Sequence, residues 1–134
     1  MSEDPKPRPA KVALDEVEWL DRESAPTRVR IKRLITRGRQ GAELMQGVCI
    51  MEPGEETNLW SSRDHDTGAV DHRYGPVEET YFVVRGRLKL IWDEGEIAFG
   101  AMDSIYLAPG WRYRLVNVGD EQAFFVYNMY PAQS

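Results

Sequence analysis

The sequence predicts an all-β domain, a sandwich or barrel of short antiparallel strands. Two observations carry this. Eight runs rich in β-branched and aromatic residues recur between Val29 and Tyr130, each bounded by Gly, Pro, Asn or Asp, and no segment after Pro26 keeps a helical period. The expected strands are Val29 to Ile35, Glu43 to Met51, Glu79 to Val84, Leu88 to Trp92, Glu96 to Phe99, Ser104 to Leu107, Arg112 to Asn117 and Ala123 to Tyr130. Their separators have turn chemistry: Gly86 breaks two strands, Asp93-Glu94-Gly95 closes a hairpin, Pro109-Gly110 makes a tight turn and Asn117 to Asp120 makes another.

Upstream of the strands the pattern changes. Pro5, Pro7 and Pro9 alternate with Lys6 and Arg8, which removes backbone donors and favours an extended, solvated arm up to about Ala10. Val12 to Arg22 fits neither period, so a short helix and an edge strand are both open, and Pro26 ends the segment. The expected organisation is an N-terminal arm over 1–27 and a barrel over 28–134. The one long irregular stretch, Glu52 to Val77, holds both histidines, His65 and His72. Loops of that length in a small β domain are usually functional or disordered.

The 134 residues are 42% hydrophobic and 29% charged, as one compact domain requires. No run approaches the roughly 20 apolar residues that cross a bilayer, and the opening residues lack a secretory apolar stretch, so a cytoplasmic protein is expected. A net charge of -5 argues against a dedicated nucleic-acid binder. Residues 1–40 carry 10 Lys+Arg against 7 Asp+Glu, which leaves an acidic body behind a basic front end. Either this is solubility patterning, or the basic segment Arg28 to Arg39 lies on an acidic body, its own or a neighbour's. Cys49 stands alone in the apolar run Val48-Cys49-Ile50-Met51, which excludes an internal disulfide and reads as a buried thiol.

The chemistry-bearing residues follow a spacing. His72-Arg73-Tyr74 is followed by four residues, Glu79, six residues and Gly86; Gly100 is followed by Ala108-Pro109-Gly110, two residues, Tyr113, three residues and Asn117. In these intervals the chain resembles a cupin, a small jelly-roll barrel whose mouth commonly holds one metal ion. The family pattern has His-x-His, Glu and Gly in the first motif and Gly, Pro-x-Gly, His and Asn in the second. Here two of the three expected histidines are tyrosines, Tyr74 and Tyr113, and the first Pro of the turn is Ala108. A second alignment counts from Pro53-Gly54 and sets Trp60 and Ser62 where the two histidines would stand, making Arg63 to Val77 an insertion from which His65 or His72 reaches back.

Alternation supplies a reason independent of the family. Glu79, Tyr81 and Val83 share one face of their strand, as do Trp111, Tyr113 and Leu115 of theirs, and an inward carboxylate needs a partner or a metal. The resemblance implies a metal set of His72, Tyr74, Glu79 and Tyr113 for one divalent ion, iron or manganese, or no metal at all. It implies Tyr113, Tyr81 and His65 as proton-moving groups and Trp60 and Trp111 as walls of the substrate pocket. Three functions stay open: a metal-dependent oxygenase, isomerase or lyase acting on a small oxygenated substrate; a metal-free acid-base isomerase or epimerase; and a module that binds without turnover. The plainer readings stand beside them, with His65 and His72 as solvated loop residues and Tyr113 as a packed aromatic. Partners are expected to be a small molecule and a second copy of the chain, with Val29 to Ile35 added to the neighbour's sheet.

Overall fold

A computed structural model describes residues 8–20, 30–57, 60–61 and 77–132. Among the described residues nine strands, β1 (Arg30–Ile35), β2 (Met45–Met51), β3 (Trp60–Ser61), β4 (Glu78–Arg85), β5 (Arg87–Trp92), β6 (Gly95–Gly100), β7 (Ser104–Leu107), β8 (Arg112–Asn117) and β9 (Ala123–Tyr130), form two antiparallel sheets. One has the order β1-β2-β9-β4-β7 and the other β3-β8-β5-β6. The jelly-roll expectation holds, and all eight expected strands are present within two residues at their ends.

Alternation decides which face packs. Along β4 the buried residues are Glu79, Tyr81 and Val83; along β8 they are Tyr113, Leu115 and Asn117; along β9 they are Ala123, Phe125, Tyr127 and Met129. These side chains, with Met45, Cys49 and Met51 of β2 and Leu88 and Leu90 of β5, fill the space between the sheets. The rings of Tyr81 and Phe125 meet at a 59° tilt with centroids 5.1 Å apart, an aromatic geometry preferred over face-to-face stacking.

The chain passes from one sheet to the other between β4 and β5 at Gly86, whose φ of +101° suits glycine. Asp93-Glu94 closes the β5–β6 hairpin, with Trp92 paired to Gly95. On the edge of β8, residues 55–57 run antiparallel before β3 takes over: Asn117 N donates to Glu55 O at 2.9 Å and Thr57 N to Leu115 O at 2.9 Å. Four residues escaped the strand pattern, the single helical turn α1 (Arg37–Gln40) between β1 and β2. Its start is fixed locally: Arg39 N donates to Thr36 Oγ1 at 3.0 Å and Thr36 N to Gln40 Oε1 at 2.8 Å.

Between Lys11 and Leu20 the only regular structure is one short 3-10 helix, Leu14–Glu16, so of the two alternatives left open above the described residues show a helical turn and no strand. It lies against β1. Leu20 N donates to Ile31 O at 2.8 Å, Lys32 Nζ donates to Leu14 O at 2.9 Å, and the Lys32 ammonium sits 4.6 Å from the centre of the Trp19 ring. Lys32 is therefore a buried contact within the chain. Arg30 pairs with Glu52 at 3.3 Å across two half-exposed side chains, a contact that contributes at most about 1 kcal/mol.

Candidate functional site

Glu79 is on β4 of one sheet and Tyr113 on β8 of the other, both inward by alternation, and they meet in the barrel. The Tyr113 hydroxyl donates a short hydrogen bond to Glu79 Oε1. Both side chains are fully buried. Burial pushes the Glu79 carboxyl up from 4.5 to about 8, while the bond from Tyr113 pulls in the opposite direction. Burial, together with the charge of Glu79 and that same bond, raises Tyr113 well above an ordinary phenol.

Tyr81, two residues along β4, turns into the same space. Its hydroxyl is buried beside that of Tyr113, without a hydrogen bond of ordinary geometry among the described residues, and its pKa is raised by desolvation first, then by the charge of Glu79 and by Tyr113. Cys49 on β2 is buried as read from its apolar run, and its thiol is raised by desolvation and then by the nearby carboxyls of Glu55 and Glu79. That neighbourhood was missed by sequence reasoning, because β9 lies between β2 and β4 and nothing in the spacing shows which strands come together. Tyr127 closes the group; its hydroxyl approaches Met45 Sδ at 3.9 Å and burial raises its pKa.

Tyr113 also forms part of the wall of a cavity of about 560 Å³ between β7 on one sheet and β5, β6 and β8 on the other. Leu90, Trp92, Ile97, Leu107 and Trp111 contribute most of its apolar wall. Glu79 and Tyr81 do not line it, so the carboxyl lies behind Tyr113 as seen from the cavity. Trp111 lines this cavity, and Trp92 is a second tryptophan in its wall, signalled by its place on the inward face of β5 before the hairpin.

His65, His72, Tyr74 and Ser62 lie outside the described residues. Of Trp60 the backbone is described: it is the register partner of Tyr113 across β3 and β8. The strand beside Tyr113 is thus the one reached by counting from Pro53-Gly54. Among the described residues no three His, Cys, Asp or Glu side chains gather as metal ligands would. The donors that face one another are one carboxyl and phenols, with the carboxyl holding its proton near neutrality. By themselves these groups do not fit a divalent cation, which needs more donors and an ionised carboxylate.

Arg112 and Arg114, which alternate with Tyr113, face away from the core; Arg112 pairs with Asp93 at 3.5 Å and Arg114 with Glu56 at 3.3 Å. Arg85, a conceivable partner for Glu79, instead bonds Gln122 through Nε and a terminal nitrogen.

The motif-two Asn117 braces the site from below. Its amide donates to Met51 O at 2.9 Å and to Glu121 O at 3.0 Å, and its carbonyl accepts from Gly119 N at 2.9 Å.

Comparison with known proteins agrees with this architecture. The cupin domain family Cupin_2 matches residues 47–129. The chain belongs to the cupin family. A relative named polyketide synthase CurC, from Streptomyces cyaneus, is 30% identical over 130 residues, which cover 94% of this chain and 72% of that protein. A glucose-6-phosphate isomerase from Thermococcus litoralis is 26% identical over 129 residues, covering 90% of this chain and 64% of that one. Among solved structures, a Cupin 2 conserved barrel domain protein from Salinispora arenicola superposes with a TM-score of 0.62 at 25% identity, over 83% of this cupin and 84% of that chain. No helix among the described residues of this cupin is long and apolar enough to cross a membrane.

Proposed function

We propose that this cupin is an acid-base enzyme that moves a proton on a small carbonyl compound, through Tyr113 with Glu79 behind it. The observation that carries the proposal is the hydrogen bond from Tyr113 to a buried carboxyl whose pKa is about 8. A carboxyl at that value exchanges its proton near neutral pH, where an ordinary one is already spent as a base of little strength. Tyr113 connects it to the cavity.

The step balances with one proton. The phenol oxygen of Tyr113 takes a hydrogen from the carbon beside the substrate carbonyl while its own proton passes to Glu79 Oε1. The C–H bond breaks, an O–H bond forms on the carboxyl, and the negative charge leaves Glu79 for the enolate oxygen. Ser104 lines the same cavity and is a hydroxyl donor available to that oxygen. Return of the proton to a neighbouring atom completes an isomerisation. The relative named as a glucose-6-phosphate isomerase supports this class of chemistry.

The test is exchange of α-hydrogens for deuterium in cyclohexanone, 2-tetralone and fructose 6-phosphate, followed by proton NMR. Exchange above buffer for at least one ketone is expected, rising with pH through about 8 and falling at least 100-fold in Glu79→Gln and Tyr113→Phe. Wild-type rates no faster than those of the two variants would sink the proposal.

A metal-dependent reading rests on a separate observation, the meeting of Glu79 and Tyr113, two of its four assigned ligands, from opposite sheets. It assigns one divalent iron or manganese to His72, Tyr74, Glu79 and Tyr113. Elemental analysis after reconstitution with iron, manganese, nickel and zinc decides it: near one ion per chain, lost in Glu79→Ala, supports the ion, and no retained metal removes it. The chain is further proposed to act in the cytoplasm as a homodimer, which sedimentation of the purified protein tests.

A further inference from the structure

The cavity beside Tyr113 has a chemical character that the proton relay does not explain. Its wall is apolar and aromatic: Trp92 and Trp111 flank it, Leu90 and Leu107 lie deep, and Ile97 stands 45% exposed at its rim. Among the described residues its lining holds no Lys or Arg, and the one formal charge there is the carboxyl of Glu94. Its volume of about 560 Å³ falls within the range of sites that enclose a drug-sized organic molecule.

Two consequences follow from elementary electrostatics and packing. A phosphate or carboxylate entering this space gives up hydration and meets no cation on the described wall, while Glu94 repels it. A flat ring loses little on leaving water and gains contact with two indoles. Sugar phosphates are therefore poor occupants, although one relative carries a sugar-phosphate isomerase name.

We infer that this cavity selects a neutral, flat, ring-bearing compound with a carbonyl or phenol oxygen directed at Tyr113, and rejects phosphorylated or carboxylated molecules of similar size. The inference rests on the proposed relay only for the direction in which the oxygen points. Selection comes from the wall, with Trp92, Ile97 and Trp111 as its determinants and the negative charge of Glu94 as its filter.

Isothermal titration of the full-length protein with 2-naphthol and 2-naphthoate tests it, since the two probes share a ring system and differ in charge. Saturable binding of 2-naphthol near one per chain is expected, with 2-naphthoate at least tenfold weaker and glucose 6-phosphate giving no saturable heat. Ile97→Glu should weaken 2-naphthol at least fivefold, and Ile97→Leu should leave it within twofold, both at unchanged circular dichroism. Ile97 is a rim residue half in solvent, so the charged variant retains the fold. Binding of 2-naphthoate or glucose 6-phosphate as tight as 2-naphthol overturns the inference, and so does indifference to Ile97→Glu. The deuterium-exchange assay reads the relay separately: 2-naphthol binding without exchange supports the cavity and overturns the relay. Exchange on cyclohexanone without 2-naphthol binding does the reverse.

Discussion

The phenol of Tyr113, from one sheet, donates a hydrogen bond to the carboxyl of Glu79, from the other, and each group is sealed from solvent. The pair joins the two sheets by their polar atoms in the middle of an otherwise apolar interior. A buried carboxyl with one phenolic partner is stable only if its charge is either compensated or absent. Here burial resolves the matter by holding the proton on, which makes Glu79 a group whose ionisation is opposed by the fold itself.

That opposition gives the first prediction, a stability that depends on pH in a defined direction. The folded pKa of about 8 exceeds the ordinary value of 4.5. Below the ordinary value both folded and unfolded chains hold the proton, and Glu79 brings no penalty. As pH rises toward 8 the unfolded carboxyl ionises and the folded one does not, so folding loses up to about 1.4 kcal/mol per pH unit from this group. Above that window the loss is constant. Glu79→Gln keeps an acceptor for Tyr113 and cannot ionise. It should therefore be more stable than the parent by about 2–4 kcal/mol at pH 8 and by nearly nothing at pH 4, measured by urea unfolding at both values. A difference independent of pH would show that Glu79 ionises freely in the fold.

The second prediction concerns the loop brace. Asn117 is 2% exposed, and its side chain bonds the carbonyls of Met51 and Glu121 and the amide of Gly119. Asn117→Ala strands these groups, and each buried orphan costs about 1–3 kcal/mol. A loss of about 3 kcal/mol in urea unfolding is expected, with proteolysis at the 117–122 turn appearing before global unfolding. At low pH, where its carboxyl is neutral, Asn117→Asp retains the acceptor for Gly119 and one donor in place of two, so it should fall between the parent and alanine.

Gly86 gives a third, steric prediction. A Cβ built there would stand 2.7 Å from Ala123 Cα and 2.8 Å from Ala123 Cβ, on a backbone whose φ is already +101°. Backbone of β9 cannot retreat without disturbing its pairing on both sides. Gly86→Ala should lose about 3 kcal/mol or fail to accumulate as soluble protein, and Gly86→Ala with Ala123→Gly should recover part of the loss. Full stability of the single variant would show that the crossing between sheets has slack.

How much of this was legible in the sequence depends on whether a feature is local. The β4 and β8 strands announced themselves through alternation, so the inward placement of Glu79, Tyr81 and Tyr113 followed from one strand at a time. Their meeting across the barrel was carried by the cupin resemblance, since no pattern within either strand pairs them. Trp60–Ser61 was invisible because two residues in a stretch without alternation give no period to read. The turn at Arg37–Gln40 was invisible for a related reason, four residues being too few for a helical repeat. The approach of Cys49 to Glu79 and the burial of the Tyr81 hydroxyl beside that of Tyr113 are products of three-dimensional packing and have no one-dimensional trace. The cavity wall belongs to the same class: Ile97 reads as an ordinary strand residue until β6 closes against β5 and leaves it at a rim.

The two tyrosines nearest Glu79 supply the sharpest contrast. Both are fully buried and both pKa values are raised by desolvation, yet only Tyr113 bonds the carboxyl, while the Tyr81 hydroxyl makes no hydrogen bond of ordinary geometry among the described residues. Removing a bonded hydroxyl strands its acceptor, and removing an unbonded one relieves a desolvation cost. Tyr113→Phe should thus lose about 1–3 kcal/mol at pH 7, and it should lift the Glu79 pKa further because the bond that opposes burial is gone. Tyr81→Phe should be neutral or stabilising by up to about 1 kcal/mol. Urea unfolding of both variants, with the Glu79 titration followed by carbon-13 NMR of the side-chain carboxyl, separates them. Equal losses for the two substitutions would mean that the Tyr81 hydroxyl is held as firmly as that of Tyr113, and the asymmetry on which the proton relay depends would disappear.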